Sequence, residues 1–315
     1  MIIDAHVHIW GEGWRTPWNE VASLHTLART RGISPEEARQ FVHETWDPDA
    51  KALLAVMDRA GVEKAVIFRV DYEFVVPGQG SAVPLEEQAQ RTAATVQRHP
   101  DRLIWGAGVD PRRPNAVQYL ERAITEWGAR AVKLYPPAGF YPNDRMCYPI
   151  YEKLVERNIP VMFHIGPVGA MPMRSKFAHP LHLDDVAIDF PELRIHAGHG
   201  GVGAARASGG WWHEMLAVAE LRRNIVIDIA SWQLALEKRP VDFFRRLRDS
   251  IDVLGPDRIL FGTDWTGPSA APMGPYLTRL QQPPAEVQDA GIAPTEAEMA
   301  LLLGRNAAAF YDFSR

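Results

Sequence analysis

Hydrophobic runs alternate with amphipathic stretches along the whole chain. Eight runs rich in Val, Ile and other apolar residues predict strands at Ile2–His8, Ala65–Val70, Leu103–Val109, Ala131–Tyr135, Val161–Ile165, Leu193–Ala197, Ile225–Ile229 and Ile259–Gly262. Amphipathic segments predict helices at Asp49–Ala60, Asn115–Trp127, Ile150–Arg157, Leu183–Asp189 and Val241–Leu254. Strands that alternate with helices pair in parallel. The pattern predicts a (β/α)8 TIM barrel. An open doubly wound sheet is the alternative, although the Gly-rich phosphate turn expected after its first strand is missing.

Two stretches interrupt the barrel rhythm. The first, Gly11–Trp46, follows the first predicted strand and holds a helical segment at Pro35–Glu44. The second, Thr266–Pro294, follows the last strand and is rich in Pro and Gly. Because both follow the carboxyl end of a strand, we expect both on the face where barrel enzymes carry out chemistry. We therefore expect one domain over residues 1–315, with a lid-like insertion at 11–46 after strand 1 and a second insertion at 266–294.

Composition narrows the class of protein. Hydrophobic residues make up 46% of the 315 residues, which supports a large core and excludes disorder as the main state. The formal net charge of -5 indicates no nucleic-acid-binding face. The chain has no apolar run of about 18 residues and no signal-peptide pattern, so we expect no membrane contact and a cytoplasmic location. The single cysteine, Cys147, excludes cysteine-rich metal sites, which leaves the 11 histidines as candidate ligands.

The most specific local motif is Asp4-Ala5-His6-Val7-His8 in the first predicted strand. Residues i and i+2 of a strand project to one face, so His6 and His8 are expected side by side. Two neutral imidazoles at this spacing make half of a zinc site. By themselves they are equally compatible with two ordinary core or surface histidines.

Three further side chains that can bind a metal lie at the ends of other predicted strands. His164 ends the fifth strand, His199 follows the sixth and Asp264 follows the eighth. The carboxyl ends of the strands converge in a barrel. The sequence therefore predicts a metal centre at the carboxyl-terminal face.

These motifs resemble the amidohydrolase superfamily, specifically the amidohydrolase-related branch that includes aminocarboxymuconate-semialdehyde decarboxylase and many metal-dependent hydrolases. The resemblance covers nearly the whole chain, through the strings Asp4–His8, Met57–Val62, Phe261–Trp265 and Gly304–Ala308. It implies that His6, His8 and His164 bind a divalent metal, usually zinc, and that Asp264 is a further ligand. It also implies that His199 matches the catalytic histidine of strand 6. Members of this branch are often dimers, so the resemblance points to a homodimer, although the sequence itself leaves the oligomeric state open.

Lys133 leaves the number of metal ions open. It lies on the predicted fourth strand, where a buried lysine is costly unless it is paired or neutralised. The Lys-Leu-Tyr-Pro string is similar to that of bacterial dihydroorotases, where the lysine is carboxylated and bridges two metals. His199 would then bind the second metal. The amidohydrolase-related branch is generally mononuclear, and there Lys133 would bind a substrate carboxylate or pair with an acid. One zinc ion is our main expectation, two ions are the alternative, and other divalent metals also fit.

Weaker candidates for substrate contact are Arg69, Tyr135, Trp14 and Trp212. Arg69 suits bidentate binding of a carboxylate, but an ion pair with Asp71 is an equal alternative. Tyr135 shares a strand face with Lys133, and the tryptophans lie in segments that follow strands. Decarboxylases of the branch carry an arginine after strand 1, a region that here contains Arg15 and Arg29.

The expected activity is that of a metal-dependent hydrolase. Zinc activates water, Asp264 accepts its proton and passes it to a leaving group, and His199 polarises a carbonyl or orients the water. The substrate would be a small amide, lactone or ester, planar or carboxylated. The alternative is a zinc-dependent, non-oxidative decarboxylase of an unsaturated or aromatic acid. A non-catalytic, metal-stabilised barrel is a third reading, against which every expected catalytic position is filled.

Overall fold

Eight parallel strands form a barrel in the computed structural model, which describes residues 1–44, 46–204, 208–266 and 273–313, without the side chains of residues 30, 31, 43 and 44. The strands are β1 (Ile3–Val7), β2 (Lys64–Phe68), β3 (Leu103–Gly108), β4 (Ala131–Leu134), β5 (Val161–His164), β6 (Ile195–Gly198), β7 (Ile225–Asp228) and β8 (Ile259–Leu260). They are paired in chain order. The backbone N–H of Ala5 donates to the carbonyl of Phe261 at 2.9 Å, which joins β1 to the end of β8. The predicted (β/α)8 fold is confirmed.

The described helices cover the outside of the barrel and the segments that follow the strands. They are α1 (Pro17–Arg31), α2 (Pro35–Glu44), α3 (Lys51–Ala60), α4 (Leu85–Arg98), α5 (Ala116–Thr125), α6 (Tyr148–Arg157), α7 (Leu181–Asp189), α8 (Trp212–Leu221), α9 (Gln233–Lys238), α10 (Pro240–Leu254), α11 (Met273–Gln281), α12 (Ala285–Asp289), α13 (Glu296–Ala300) and α14 (Asn306–Phe310). Each of the five predicted amphipathic segments forms a helix, namely α3, α5, α6, α7 and α10. Within the described ranges, no helix has the length and apolar character needed to cross a bilayer.

Alternation along the strands divides the barrel interior into two layers. The lower layer is apolar and packs against α14 and the residues after it; it contains Ile3, Ala5, Val66, Phe68, Ile104, Ala131, Met162, Val226 and Leu260. Two residues further along β4, β5 and β7 are Lys133, His164 and Asp228. The same period that closes the core thus places polar side chains one layer nearer the carboxyl ends of the strands.

The insertion after β1 packs on the barrel rim through Trp10 and Trp14, which join the main core. Arg69, fully buried at the end of β2, donates from Nη1 to the carbonyl of Ile9 at 2.6 Å. Its guanidinium carbon lies 4.9 Å from the Trp10 ring centroid and 4.5 Å from that of Trp14. These contacts hold the start of the insertion against the carboxyl-terminal face. A lid movement of the insertion stays a prediction, and residues 267–272 of the second insertion lie outside the described residues.

Candidate metal centre and active site

The ends of several strands and the insertion after β1 enclose one cavity. Its lining includes His6, His8, Lys133, Tyr135, His164, His199 and Asp264, together with Trp10, Arg15, Arg29, Tyr72 and Ser231. The strand-end side chains predicted from the sequence to form a centre are thus brought together. Arg15 and Arg29, from the segment after β1, reach the same cavity.

His6, His8 and Asp264 present their side chains to one another. Asp264 Oδ1 lies 3.7 Å from His6 Nε2 and 3.3 Å from His8 Nε2. The other ring nitrogens are engaged: His8 Nδ1 lies 2.7 Å from the Phe68 carbonyl and His6 Nδ1 lies 2.8 Å from Asp228 Oδ2. Because a carbonyl and a carboxylate only accept hydrogen bonds, both Nδ1 atoms carry the proton. Each Nε2 therefore keeps a lone pair directed toward Asp264.

This arrangement fits a divalent cation. Ligand atoms of His6, His8 and Asp264 all lie within 4.8 Å of one another. His6 Nε2 and His164 Nε2 are buried and have no hydrogen-bond partner among the described residues. Unsatisfied buried acceptors of this kind are costly, and a metal ion is the partner that imidazole and carboxylate ligands share. His164 faces the cavity but lies outside that close group of three.

His199 stands between the candidate ligands. Its ring centroid is 4.8 Å from that of His6 and 4.5 Å from that of His164. The backbone of His199 has a φ of 67°, and that of Asp264 has a φ of 59°. A positive φ is strained for a residue with a Cβ and is commonly found at functional sites. Here both unusual conformations occur where the chain leaves a strand and turns a side chain toward the cavity.

Sequence reasoning missed Asp228, which organises the histidines from below. Its Oδ2 accepts hydrogen bonds from His6 Nδ1 at 2.8 Å and from His196 Nε2 at 2.9 Å. Its Oδ1 accepts from the backbone N–H groups of His199 at 2.6 Å and Ala230 at 3.0 Å. The sequence did contain a feature that could have identified Asp228. It is a carboxylate at the end of the apolar run of β7, just as Asp264 is a carboxylate that follows the apolar run of β8. His6, His199 and Asp228 also place ligand atoms within 4.8 Å, but the four donors already occupy Asp228.

The network below Asp228 continues to the C-terminal segment. His196 is fully buried, and its Nδ1 lies 2.5 Å from the hydroxyl of Tyr311. Since His196 Nε2 must donate to the Asp228 carboxylate, its Nδ1 accepts from the Tyr311 O–H. Tyr311 thereby fixes the tautomer of His196 that donates from Nε2 to Asp228. Asp228 Oδ2 is then an acceptor for both His196 and His6.

Electrostatics keep the ligand set in the protonation states that a metal requires. Burial lowers the pKa of His6, His164 and His199, so these imidazoles are neutral. Burial opposes ionisation of Asp264, but the imidazoles of His8, His199 and His6 close to its carboxylate hold its pKa well below the ordinary value. Neutral imidazoles beside an ionised carboxylate are the forms that bind metal.

Two buried cations line the cavity without an acidic partner. Lys133 Nζ lies 3.4 Å from Met162 Sδ, and burial lowers its pKa to about 8. Arg15 packs 4.5 Å above the centroid of the Trp10 ring, and burial lowers its pKa to about 10. The Nε and Nη1 atoms of Arg15 have no hydrogen-bond partner among the described residues. Within those residues no carboxylate lies within 4.0 Å of either cation, so the alternative in which Lys133 pairs with an acid is not formed.

The weaker candidates separate into two groups. Tyr135 lines the cavity, with its ring 5.2 Å from that of Tyr72. The described lining of the cavity does not include Arg69, Trp14 or Trp212. Arg69 is held by the Ile9 carbonyl and by Gln88 Oε1, while Trp212 donates from Nε1 to Ser250 Oγ at 3.1 Å.

The alternative ion pair of Arg69 with Asp71 is also not formed. Asp71 instead accepts from Arg113, whose Nη2 lies 3.0 Å from Asp71 Oδ1. Sequence position alone placed Arg69 and the two tryptophans near the right face of the barrel, but their side chains turn into the protein. Their role in the structure is packing of the rim.

Comparison with known proteins adds to this geometry. The family model described as amidohydrolase matches residues 3–313. A 2-keto-4-carboxy-3-hexenedioate hydratase from Sphingobium sp. (strain NBRC 103272 / SYK-6) is 27% identical over 213 residues. That match covers 61% of this chain and 61% of the hydratase.

Solved structures share the fold. An uncharacterised TIM-barrel protein from Bordetella bronchiseptica is 22% identical, with a TM-score of 0.69, and the match covers 99% of each chain. A manganese-bound 5-carboxyvanillate decarboxylase from Novosphingobium aromaticivorans is 17% identical, with a TM-score of 0.68 and coverage of 99% of this chain and 96% of that chain. At these identities the likeness extends to the architecture of the barrel.

Proposed function

The chain belongs to the amidohydrolase family, and we propose that it catalyses metal-dependent addition of water to an sp² carbon of a small carboxylate. One observation carries the proposal: an unsatisfied histidine–aspartate donor set shares its cavity with two buried cations that lack an acidic partner. The donor set suits activation of water, and the cations suit a substrate carboxylate. Opening of a lactone, hydrolysis of an ester or amide, and hydration of a carbon–carbon double bond all belong to this reaction class.

In this proposal His6, His8, His164 and Asp264 hold the metal. A bound divalent cation supplies Lewis-acid activation of a water or a substrate oxygen. Zinc suits a set of three imidazoles and one carboxylate, and manganese, which the solved decarboxylase contains, is the alternative. Asp228 and the Phe68 carbonyl orient His6 and His8, because each accepts a hydrogen bond from the Nδ1–H group and so leaves Nε2 available.

Asp264 is the group that moves the proton. Its Oδ2 accepts a hydrogen bond from Ser231 Oγ at 3.0 Å, while Oδ1 faces His8. Held ionised at neutral pH, this carboxylate can accept a proton from the attacking water and deliver it to a leaving oxygen, nitrogen or carbon. His199, neutral beside the ligands, can donate a hydrogen bond to the substrate oxygen that gains charge.

Arg15 and Lys133 bind the anionic part of the substrate. Arg15 keeps two unused guanidinium nitrogens, and its contact with Trp10 fixes the group without consuming them. Tyr72 and Tyr135 give the cavity an aromatic side suited to a planar substrate. The curated relative is named as a hydratase of an unsaturated carboxylate, which supports a substrate of this kind.

A mass balance tests the proposal. Protein loaded with zinc or with manganese is incubated in 18O-labelled water with a panel of unsaturated and lactonic carboxylates, and the products are analysed by mass spectrometry. We expect a gain of one labelled water, abolished by a chelator and restored by the metal. The corresponding alcohols, with CH2OH in place of the carboxylate, serve as controls, because they lack the negative charge that Arg15 and Lys133 would bind and add no ester or amide bond.

Decarboxylation is the competing reaction at the same site, and the same experiment separates it. Loss of CO2 without incorporation of labelled oxygen into the organic product would overturn water addition. Equal turnover of the charged compounds and the corresponding alcohols would overturn the carboxylate assignment while leaving the metal chemistry intact.

A further inference from the structure

A second depression opens beside the active-site cavity, and we call it the mouth groove. Its apolar lining consists of Pro17, Trp18, Val21 and Ala22 of α1 together with Ala170 and Met171 of the segment after β5. Thr26, Arg29, Gly169 and Ala170 line both the mouth groove and the active-site cavity. The two spaces are therefore neighbours that share a wall.

The mouth groove differs from the cavity in chemistry. The cavity holds histidines, an aspartate and two buried cations, whereas the described residues of the mouth groove include no acid and only Arg29 as a permanent cation. Val21 is 52% exposed and Met171 is 82% exposed, so large apolar side chains stand in solvent at its edge. Exposed apolar surface gathered at the entrance of a polar cavity is typical of a ligand-binding site.

We propose that the mouth groove binds an apolar extension of the substrate, so that the substrate is a carboxylate with an alkyl or aryl tail. This inference rests on the proposed function for the position of the carboxylate in the cavity. The tail would pass Arg29 and Thr26, which belong to both spaces, and pack between α1 and Met171. The four residues that line both spaces place the mouth groove directly beside the cavity that holds the charged groups, which favours an occupant that is part of the same molecule.

Chain-length dependence of binding tests this inference. The metal-loaded protein is titrated calorimetrically with propanoate, hexanoate and octanoate. Each methylene that becomes buried should tighten binding by about fourfold. Adipate is the control with a polar tail. We expect the octanoate-to-propanoate affinity ratio to exceed the adipate-to-propanoate ratio by at least about tenfold. A ratio near one for the wild-type protein would overturn the proposal.

Variants on the two sides of the mouth groove locate the effect. Val21→Asp on α1 and Met171→Lys on the facing segment change exposed side chains, and each should lower the affinity ratio by at least about tenfold. Val253→Asp, on α10, is the matched control, since Val253 is also exposed but does not line the mouth groove. If both groove variants kept the octanoate-to-propanoate affinity ratio of the wild type, the assignment of the tail to the mouth groove would be overturned.

The same variants exclude the other occupant, a second copy of the chain. If the groove were covered in a dimer, Val21→Asp would lower the mass measured by sedimentation and leave the affinity ratio unchanged, which would overturn the proposal. Failure here is also distinct from failure of water addition. The labelled-water assay on short substrates does not depend on the mouth groove, and the calorimetric ratio does not depend on turnover.

Discussion

The polar side chains inside the barrel form two regions that differ in how their hydrogen-bonding capacity is used. Below the histidines, Asp228 accepts four hydrogen bonds and His196 is engaged at both ring nitrogens. In the cavity above, His6 Nε2, His164 Nε2 and two nitrogens of Arg15 have no partner among the described residues. Burial is similar in both regions. A buried polar group whose partners are all protein groups positions others, whereas one that keeps unused atoms is prepared for a ligand.

Asp264 offers the sharpest test of the cavity region. Asp264→Asn keeps the shape of the side chain but removes the proton acceptor, so turnover should fall by about 10²–10⁴. The metal-free variant should unfold at a temperature close to that of the wild type. The substitution changes little else in the fold, because the main hydrogen bond to the Asp264 carboxylate comes from Ser231 alone. Steady-state turnover and thermal unfolding measure the two effects. Full activity in the variant would remove Asp264 from the mechanism.

Lys133 tests the cost of an unpaired cation in the same region. Its folded-state pKa of about 8 lies below its unfolded value near 10.5. The unfolded chain therefore binds more protons between these values, and the stability of the metal-free protein should rise with pH through that window. Below pH 8 Lys133 is protonated in both the folded and the unfolded state, so the folded protein bears the full free-energy cost of burying the charged ammonium group.

Lys133→Met supplies the matching measurement. The variant should be more stable than the wild type by about 3 kcal/mol at pH 7, and the difference should shrink toward pH 10.5. Denaturant unfolding of both proteins at several pH values gives the difference. A difference that does not change with pH would mean that Lys133 is already paired or modified.

Asp228 tests the lower region. Asp228→Asn replaces one acceptor oxygen by an amide NH2, which faces donors that also carry protons. Metal affinity, measured by competition with a chelator, should fall by about 10–100-fold because His6 loses its fixed tautomer. Unlike Asp264→Asn, the variant should also lose about 1–3 kcal/mol of stability. Unchanged metal affinity would contradict a positioning role.

Tyr311 gives the smallest expected effect, at the far end of the same network. Tyr311→Phe removes the O–H donor to His196 Nδ1 and should weaken metal affinity by up to about tenfold. Tyr151→Phe is the matched control, since the Tyr151 hydroxyl is also buried but donates to the Pro142 carbonyl away from the site. If both variants lost the same affinity, the effect would reflect general loosening of the fold.

Much of the fold and part of the candidate site could be predicted because they depend on local patterns. Short apolar runs rich in Val and Ile mark the strands, and the barrel places every strand end on one face. His6, His8, His164, His199 and Asp264 were found because each lies at or just after the end of an apolar run. No further information was needed to expect them in one cavity.

The remaining features depend on how side chains turn and on contacts between distant segments. Arg69 directly follows β2, yet its side chain is held by the Ile9 carbonyl and Gln88 and does not line the cavity, whereas Lys133 of β4 does. Arg15 and Arg29 were ambiguous in the sequence because only the path of the insertion places them beside the cavity. Trp14 and Trp212 follow strands, but their rings are used in packing.

The sequence by itself determined the barrel, the face that carries the chemistry and the type of ligand atoms, since these follow from residue order and strand period. Only the tertiary structure decided which polar groups satisfy one another. His6 and Asp228 are 222 residues apart, and their hydrogen bond decides which nitrogen of His6 remains available. The division between satisfied and unsatisfied buried groups exists only after the chain has folded, because a hydrogen bond requires geometry that residue order does not specify.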